Sequence, residues 1–264
     1  MLDNSPRFQM IELDEVVSTN TFLRSYRPLT PVPVTLVTAE YQTAGRGQAG
    51  NTWESTRGEN LLFSLQVRPS ALPAANAFVL SEAIALSLHE AIASFIPAEN
   101  VTVKWPNDIY VADSKIAGIL IENDFRGSMV ERSIIGCGVD VNQQAFTFPT
   151  LPLTESSDAA SRPTPVSLRQ LLGHDTERRF VLDAIITAFR RRYDAIEGGS
   201  TQGISTVHTD YCQSLYRRQG LHNYRDASGT FSAEIADVEP SGHLCLRDTE
   251  GDLRRYAFKE VAYC

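Results

Sequence analysis

Cysteine, basic charge and long apolar runs are all scarce in this chain. Cys137, Cys212, Cys245 and Cys264 stand far apart with no C-x-x-C pair. Neither a disulfide framework nor a thiolate metal site is expected, and free thiols in a reducing compartment are. Lys and Arg number 24 against 32 Asp and Glu, a net charge of −8. Binding to a phosphate backbone draws its affinity from clustered cations that release counterions, so nucleic acid is excluded as a partner. No apolar run approaches the roughly 20 residues that cross a bilayer, and the first residues lack the basic start and apolar run of a signal peptide. A cytoplasmic protein without a membrane partner is expected.

Several catalytic signatures are missing as well. His89, His174, His208, His222 and His243 show no metal-ligand spacing, and no serine lies in a G-x-S-x-G elbow. Covalent catalysis by the protein is therefore not suggested. No G-x-x-x-x-G-K-[ST] phosphate loop occurs, and no repeat with a period of roughly 20 to 50 residues.

What is present describes one substantial core with enough chain left for a small second domain: 264 residues, 42% of them hydrophobic. Thr35 to Tyr41 and the period-two set Leu61, Phe63, Leu65 and Val67 predict two half-buried strands, with a glycine-rich loop between them. Leu80, Ile84, Leu88, Ala91 and Phe95 mark an amphipathic helix ending before Pro97. Val101, Val103 and Trp105 alternate until Pro106-Asn107-Asp108 breaks the strand. Ile116 to Glu122 and Val130 to Val139 predict an antiparallel pair turning at Arg126-Gly127, under the same helix layer.

Residues 143–165, rich in Pro, Ser, Thr and Ala, predict a long surface excursion. Leu182, Ile186, Phe189, Tyr193 and Ile196 predict one further helix, with Arg190, Arg191 and Arg192 on its solvated face. Ile204, Val207, Tyr211 and Leu215 predict another. From Gly220 the pattern becomes short strands with turns at Ala227-Ser228-Gly229, Ser241-Gly242 and Glu250-Gly251. The expected division is a mixed α/β domain over 1–216 and a small β domain over 217–264.

Gly45-Arg46-Gly47-Gln48-Ala49-Gly50 matches G-x-G-x-x-G after a strand, but a dinucleotide fingerprint must open a helix, and here Asn51 to Gly58 continue as loop. What remains is a glycine loop whose amides and one guanidinium can approach a phosphate or carboxylate, or a plain turn. Lys104 and Lys115, on neighbouring strand ends beside Asn107 and Asp108, put cations next to oxygen ligands, as a magnesium-nucleotide site requires. Trp53 offers a flat face for a base or ring, or a core side chain.

Four motifs in order carry a resemblance: Ser18-Thr19-Asn20 before a helix, Tyr41-Gln42-Thr43-Ala44-Gly45-Arg46-Gly47, Lys104-Trp105-Pro106-Asn107-Asp108, and Lys115-Ile116-Ala117-Gly118-Ile119-Leu120-Ile121-Glu122. Together they resemble the catalytic core of the biotin protein ligase family, from about Val17 to about Tyr193. The resemblance implies a mixed sheet with packed helices related to class II aminoacyl-tRNA synthetases, followed by an SH3-like barrel. It implies ATP and biotin as substrates, magnesium as cofactor, and a biotin carboxyl carrier domain as acceptor. Biotin would lie against Ser18, Thr19, Asn20, Gln42, Gly45, Arg46, Lys115, Gly118, Ile119, Gly136 and Gly138. ATP and the adenylate would meet Arg46, Gly47, Gln48, Trp53, Asn107 and Lys115, with Asn107 on magnesium. Arg46, Lys104 and Lys115 would be the catalytic cations.

Three departures stand out. Gln48 replaces a second arginine common in the family, Asp140 an asparagine, and Lys259-Glu260-Val261 a glycine-containing motif. Seventeen residues precede Ser18, too few for the DNA-binding domain of family members that are also repressors, so no repressor function is expected. A lipoate ligase and a catalytically silent binding module are the rival readings. Strand edges in such a fold admit a homodimer.

Overall fold

The structure is a computed structural model that describes residues 8–29, 32–48, 51–146 and 164–264. Gly50 and the greater part of the expected 143–165 excursion lie outside the described residues. The first strand, β1 (Phe8–Val16), was not foreseen; it pairs in parallel with β2 (Val34–Gln42), which pairs antiparallel with β3 (Leu61–Val67). Helix α1 (Thr19–Ser25) connects β1 to β2. Ser18 is its N-cap, so Thr19 and Asn20 fall inside its first turn rather than before it.

After α2 (Val79–Ala93), β4 (Val101–Lys104) and β5 (Asp108–Val111) form a hairpin through the Trp105-Pro106-Asn107 turn. The long pair β6 (Ser114–Arg126) and β7 (Met129–Val139) turns at Gly127, whose φ of 61° is one a glycine adopts without strain. A two-residue strand, β8 (Thr164–Pro165), adds to β6. The sheet order is β1-β2-β3-β7-β6-β5-β4, mixed as expected.

Alternation along the strands builds two unlike faces. Leu61, Phe63, Leu65 and Val67 of β3 and Ile135, Cys137 and Val139 of β7 join the main apolar core. That core is covered by α2, α4 (Arg178–Ile196) and α5 (Thr201–Gln213), while α3 (Leu168–Leu172) adds Leu168. Truncating one of these buried leucines to alanine would cost about 2–5 kcal/mol. On the other face Ser64 and Gly136 lie against α1 and Gly138 against Trp53, and a hydroxyl and two bare backbones leave room there. A smaller cluster of Leu23, Val37 and Ile134 anchors α1 there.

Helix registers differ slightly from expectation. Ile185 rather than Ile186 is fully buried in α4, and Leu215 lies beyond α5, bridging Val103 of β4. Arg191 and Arg192 are not simply solvated: both bind Glu90 of α2, at 2.6 and 2.7 Å. The remaining strands are β9 (His222–Asp226), β10 (Gly229–Val238), β11 (Leu244–Asp248), β12 (Leu253–Tyr256) and β13 (Ala262–Tyr263). They form an antiparallel sheet in the order β12-β11-β10-β9-β13, compatible with an SH3-like barrel. Among the described residues no helix is long and apolar enough to cross a membrane.

Candidate active site

A cavity of about 530 Å³ opens on the α1 side of the main sheet. Its floor is glycine for a steric reason. A Cβ on Gly136 would overlap the Asn20 amide, one on Gly138 would overlap the Trp53 indole, and one on Gly118 would lie 2.9 Å from Trp53 Cζ3.

One wall is a connected set of polar side chains. The amide nitrogen of Thr19 donates to Gln42 Oε1 at 2.8 Å, and the Thr19 hydroxyl to the same oxygen at 3.1 Å. Ser64 Oγ, fully buried on β3, lies 2.6 Å from both Thr19 Oγ1 and Asn20 Oδ1. Asn20 Nδ2 in turn donates to Glu122 Oε2 at 3.1 Å. Glu122 then pairs through Oε1 with Arg24 at 2.9 Å and Arg46 at 3.4 Å. Buried polar groups must find partners, and this network fixes each rotamer before any ligand arrives. Ser64 and the bridging role of Glu122 were not foreseen, because neither shows in local spacing.

The opposite wall is the glycine segment, which is a tight turn rather than an open loop. Trp53 N donates to Gly45 O at 3.0 Å, Gly47 N to Asn51 O at 2.7 Å, and Arg46 bridges Thr52. A Cβ at Gly45 would meet the Trp53 carbonyl oxygen at 2.6 Å, so close backbone approach requires glycine. Trp53 lies over Gly118 and Gly138, with its indole Nε1 buried and without a hydrogen-bond partner among the described residues; Gln48 Oε1 is in the same condition. Such orphans facing a cavity suit a ligand that supplies the missing partners.

The cations are held differently from one another. Lys115 Nζ is 2.7 Å from Asp108 Oδ1 and 5.5 Å from the centre of the Trp53 ring. Lys104 lines the same cavity, but its ammonium sits among Tyr110, Tyr216 and Tyr263 and donates to Tyr110 Oη at 3.1 Å. Burial among these rings pushes the Lys104 pKa down. A direct role for Lys104 on a phosphate would require it to leave this cage, whereas Arg46 and Lys115 face the cavity already.

Asn107 Nδ2 donates to Ile119 O at 2.6 Å, which leaves Oδ1 as the side-chain atom able to meet a cation. Ile119 itself turns its side chain into the core. Ser18 is buried at the start of α1 and lines the cavity.

Trp105 and the C-terminal sheet contribute what the motifs did not indicate. Trp105 Nε1 donates to Gly242 O at 2.9 Å and its ring meets Phe258 edge-on at 6.4 Å. Phe258, Lys259, Val261 and Tyr263 thereby reach the cavity mouth. Lys259 has φ 71°, the left-handed conformation a glycine would take there without strain. Asp140, buried at the end of β7, accepts from Asn60 Nδ2 at 3.0 Å. Desolvation raises its pKa well above the ordinary carboxyl value.

The fold is shared with solved structures. A biotin protein ligase from Aquifex aeolicus in complex with biotin and ATP superposes with a TM-score of 0.71 at 22% identity, covering 96% of this chain and 97% of that one. The main sheet and its helices therefore define a protein of biotin ligase fold. The model of the biotin/lipoate A/B protein ligase family matches residues 13–140 of the chain.

Two relatives are similar in sequence. The bifunctional ligase/repressor BirA of Bacillus spizizenii is 32% identical over 224 residues, 84% of this chain and 64% of the relative. The biotin–acetyl-CoA-carboxylase ligase of Paracoccus denitrificans is 29% identical over 218 residues, 81% of this chain and 85% of the relative. The chain thus spans under two thirds of the length of the Bacillus relatives.

Proposed function

We propose that this protein is an ATP-dependent biotin protein ligase of the cytoplasm. The observation that carries the reading is the pre-fixed wall of Thr19, Gln42, Ser64 and Asn20 beside a glycine floor. A flat ureido ring needs donors and acceptors set at its edge and bare backbone beneath it, and this wall and floor supply both. The name of the Paracoccus relative, a biotin–acetyl-CoA-carboxylase ligase, supports the same substrate.

The chemistry follows from charge. A biotin carboxylate oxygen attacks the α-phosphorus of ATP, the bond to the bridging oxygen breaks, and pyrophosphate leaves. Two anions must approach each other, so cations have to be fixed in place beforehand. Arg46, steered by Glu122, and Lys115, steered by Asp108, are the groups so held. Trp53 forms the flat wall against which the adenine stacks. The carbonyl carbon of the mixed anhydride then accepts the ε-amine of a lysine on a biotin carboxyl carrier domain, and AMP departs. No protein nucleophile is required.

The hard oxygens of Asn107 and Asp108 at the cavity suit magnesium, which takes one or two protein oxygens and the rest from phosphates and water. When bound, the ion would neutralise the charge of the leaving pyrophosphate. The expected division at residue 216 is retained, with the C-terminal sheet as the lip over the carrier's approach. Biotin-dependent exchange of labelled pyrophosphate into ATP tests the first half-reaction. Exchange that requires biotin supports the reading; exchange that responds only to lipoate or octanoate contradicts it.

A further inference from the structure

Away from the cavity, α5 meets the C-terminal sheet at a cluster that the ligase chemistry does not use. His208 and Cys212, four residues apart, share one face of α5, and Asp237 of β10 faces them from the other element. His208 Nε2 lies 3.3 Å from Asp237 Oδ1 and 3.6 Å from Cys212 Sγ, and Cys212 Sγ lies 3.5 Å from Asp237 Oδ1. We infer that these three side chains form a zinc site that clamps α5 to the C-terminal sheet, with water at the fourth corner.

The distances make the case. Zinc bonds of about 2.3 Å to sulfur and about 2.0–2.1 Å to nitrogen and oxygen at tetrahedral angles place ligand atoms about 3.5 Å apart for S and N, about 3.3 Å for N and O, and about 3.5 Å for S and O. The three edges found are 3.6, 3.3 and 3.5 Å. One imidazole nitrogen, one thiol and one carboxylate are a zinc donor set, and too soft a set for magnesium or calcium.

Two further features fit the role. The other imidazole nitrogen, Nδ1, is 2.8 Å from Glu82 Oε1, a carboxylate on α2 with only 2% exposure. A carboxylate behind a ligating histidine fixes its tautomer and ring plane. The β10–β11 register also breaks between Ile235 and Asp237. A bulge re-aims the side chain beside it, here Asp237, which comes within reach of α5. His208-x-x-x-Cys212 has no recognisable spacing in the sequence because its third member is 25 residues away. The expectation of no thiolate metal site is revised accordingly.

Cobalt(II) is the probe. Full-length protein stripped with a chelator is titrated with cobalt under reducing conditions, and zinc is then added. The expected result is one cobalt per chain, with a thiolate-to-cobalt charge-transfer band and four-coordinate visible absorption, both abolished by zinc. Cys212→Ser removes the charge-transfer band, and Glu82→Gln weakens binding about 10- to 100-fold. Cys245→Ser leaves the titration unchanged. Absence of cobalt absorption in the unmodified protein, or a charge-transfer band that survives Cys212→Ser, overturns the site. Should Cys212→Ser fail to fold by circular dichroism, Asp237→Asn decides, since Asp237 is 58% exposed and the change adds no bulk. Cobalt affinity reduced about tenfold or more supports the site, and unchanged affinity overturns it.

Discussion

Lys115 of β6 and Asp108 of β5 meet across their strand pair, Nζ to Oδ1 at 2.7 Å, with the two side chains 22% and 21% exposed. The carboxylate aims the ammonium under Trp53, where a ligand in the cavity would meet it. Lys115→Gln keeps length and polarity but removes the charge. Adenylate formation is expected to fall about 10²–10³-fold, with a stability change below about 1 kcal/mol because both groups still reach water. Pyrophosphate exchange and thermal unfolding measure the two effects. A loss of less than about tenfold would remove Lys115 from the mechanism.

Glu122 offers a separate test, because it ties α1 to the glycine segment. Its arginine partners are each 50% exposed, so the ion pairs add little stability. Glu122→Gln should shift unfolding by less than about 1 kcal/mol while raising the biotin Kd at least about tenfold, or about 1.4 kcal/mol. Calorimetric titration with biotin checks it, and an unchanged Kd would mean that Arg46 is placed without help.

The floor glycines should separate folding from binding. Gly136→Ala pushes on Asn20, which is 2% exposed and hydrogen-bonded, so a loss of about 1–3 kcal/mol is expected in denaturant unfolding. Gly138→Ala pushes on Trp53, which is only part-buried and able to swing out. Its stability should change by less than about 1 kcal/mol while biotin binding is lost. Equal destabilisation of both variants would contradict this division.

Asp140 should make stability pH-dependent in a stated direction. Burial raises its folded pKa above the unfolded value of about 3.9. The protonated folded form is favoured at low pH, and stability is lost as pH rises from the unfolded value through the raised folded one. Asp140→Asn keeps an acceptor for Asn60 and removes that loss. Its Tm at pH 7 should rise by roughly 2–4 °C for each kcal/mol relieved, with the difference vanishing near pH 3. A lower Tm for the variant at pH 7 would show that the ionised carboxylate is needed.

Much of the fold was legible because period-two and helical spacing report burial directly: β2, β3, β6, β7 and α2 follow from it. β1 was missed because its sequence is charged and half-exposed along an edge, which blurs the alternation. Within the site, Thr19, Gln42 and Lys115 could be named from ordered motifs. Ser64, Asp108 as the partner of Lys115, and Phe258 and Tyr263 at the mouth could not, because each matters only through a neighbour brought close by the fold. Lys104 shows the converse: its motif suggests a catalytic cation, but the spacing could not show that Tyr110 of the neighbouring strand and Tyr216 and Tyr263 from distant segments surround its ammonium.

Intact-mass spectrometry of a purified biotin carboxyl carrier domain, incubated with this protein, magnesium, ATP and either biotin or lipoate, tests whether the protein transfers biotin. The mass gain of one biotinyl group is expected only with biotin and ATP present, and it is lost when the acceptor lysine is replaced. Lipoyl transfer without biotinyl transfer, or no gain with either acid, would contradict biotin transfer.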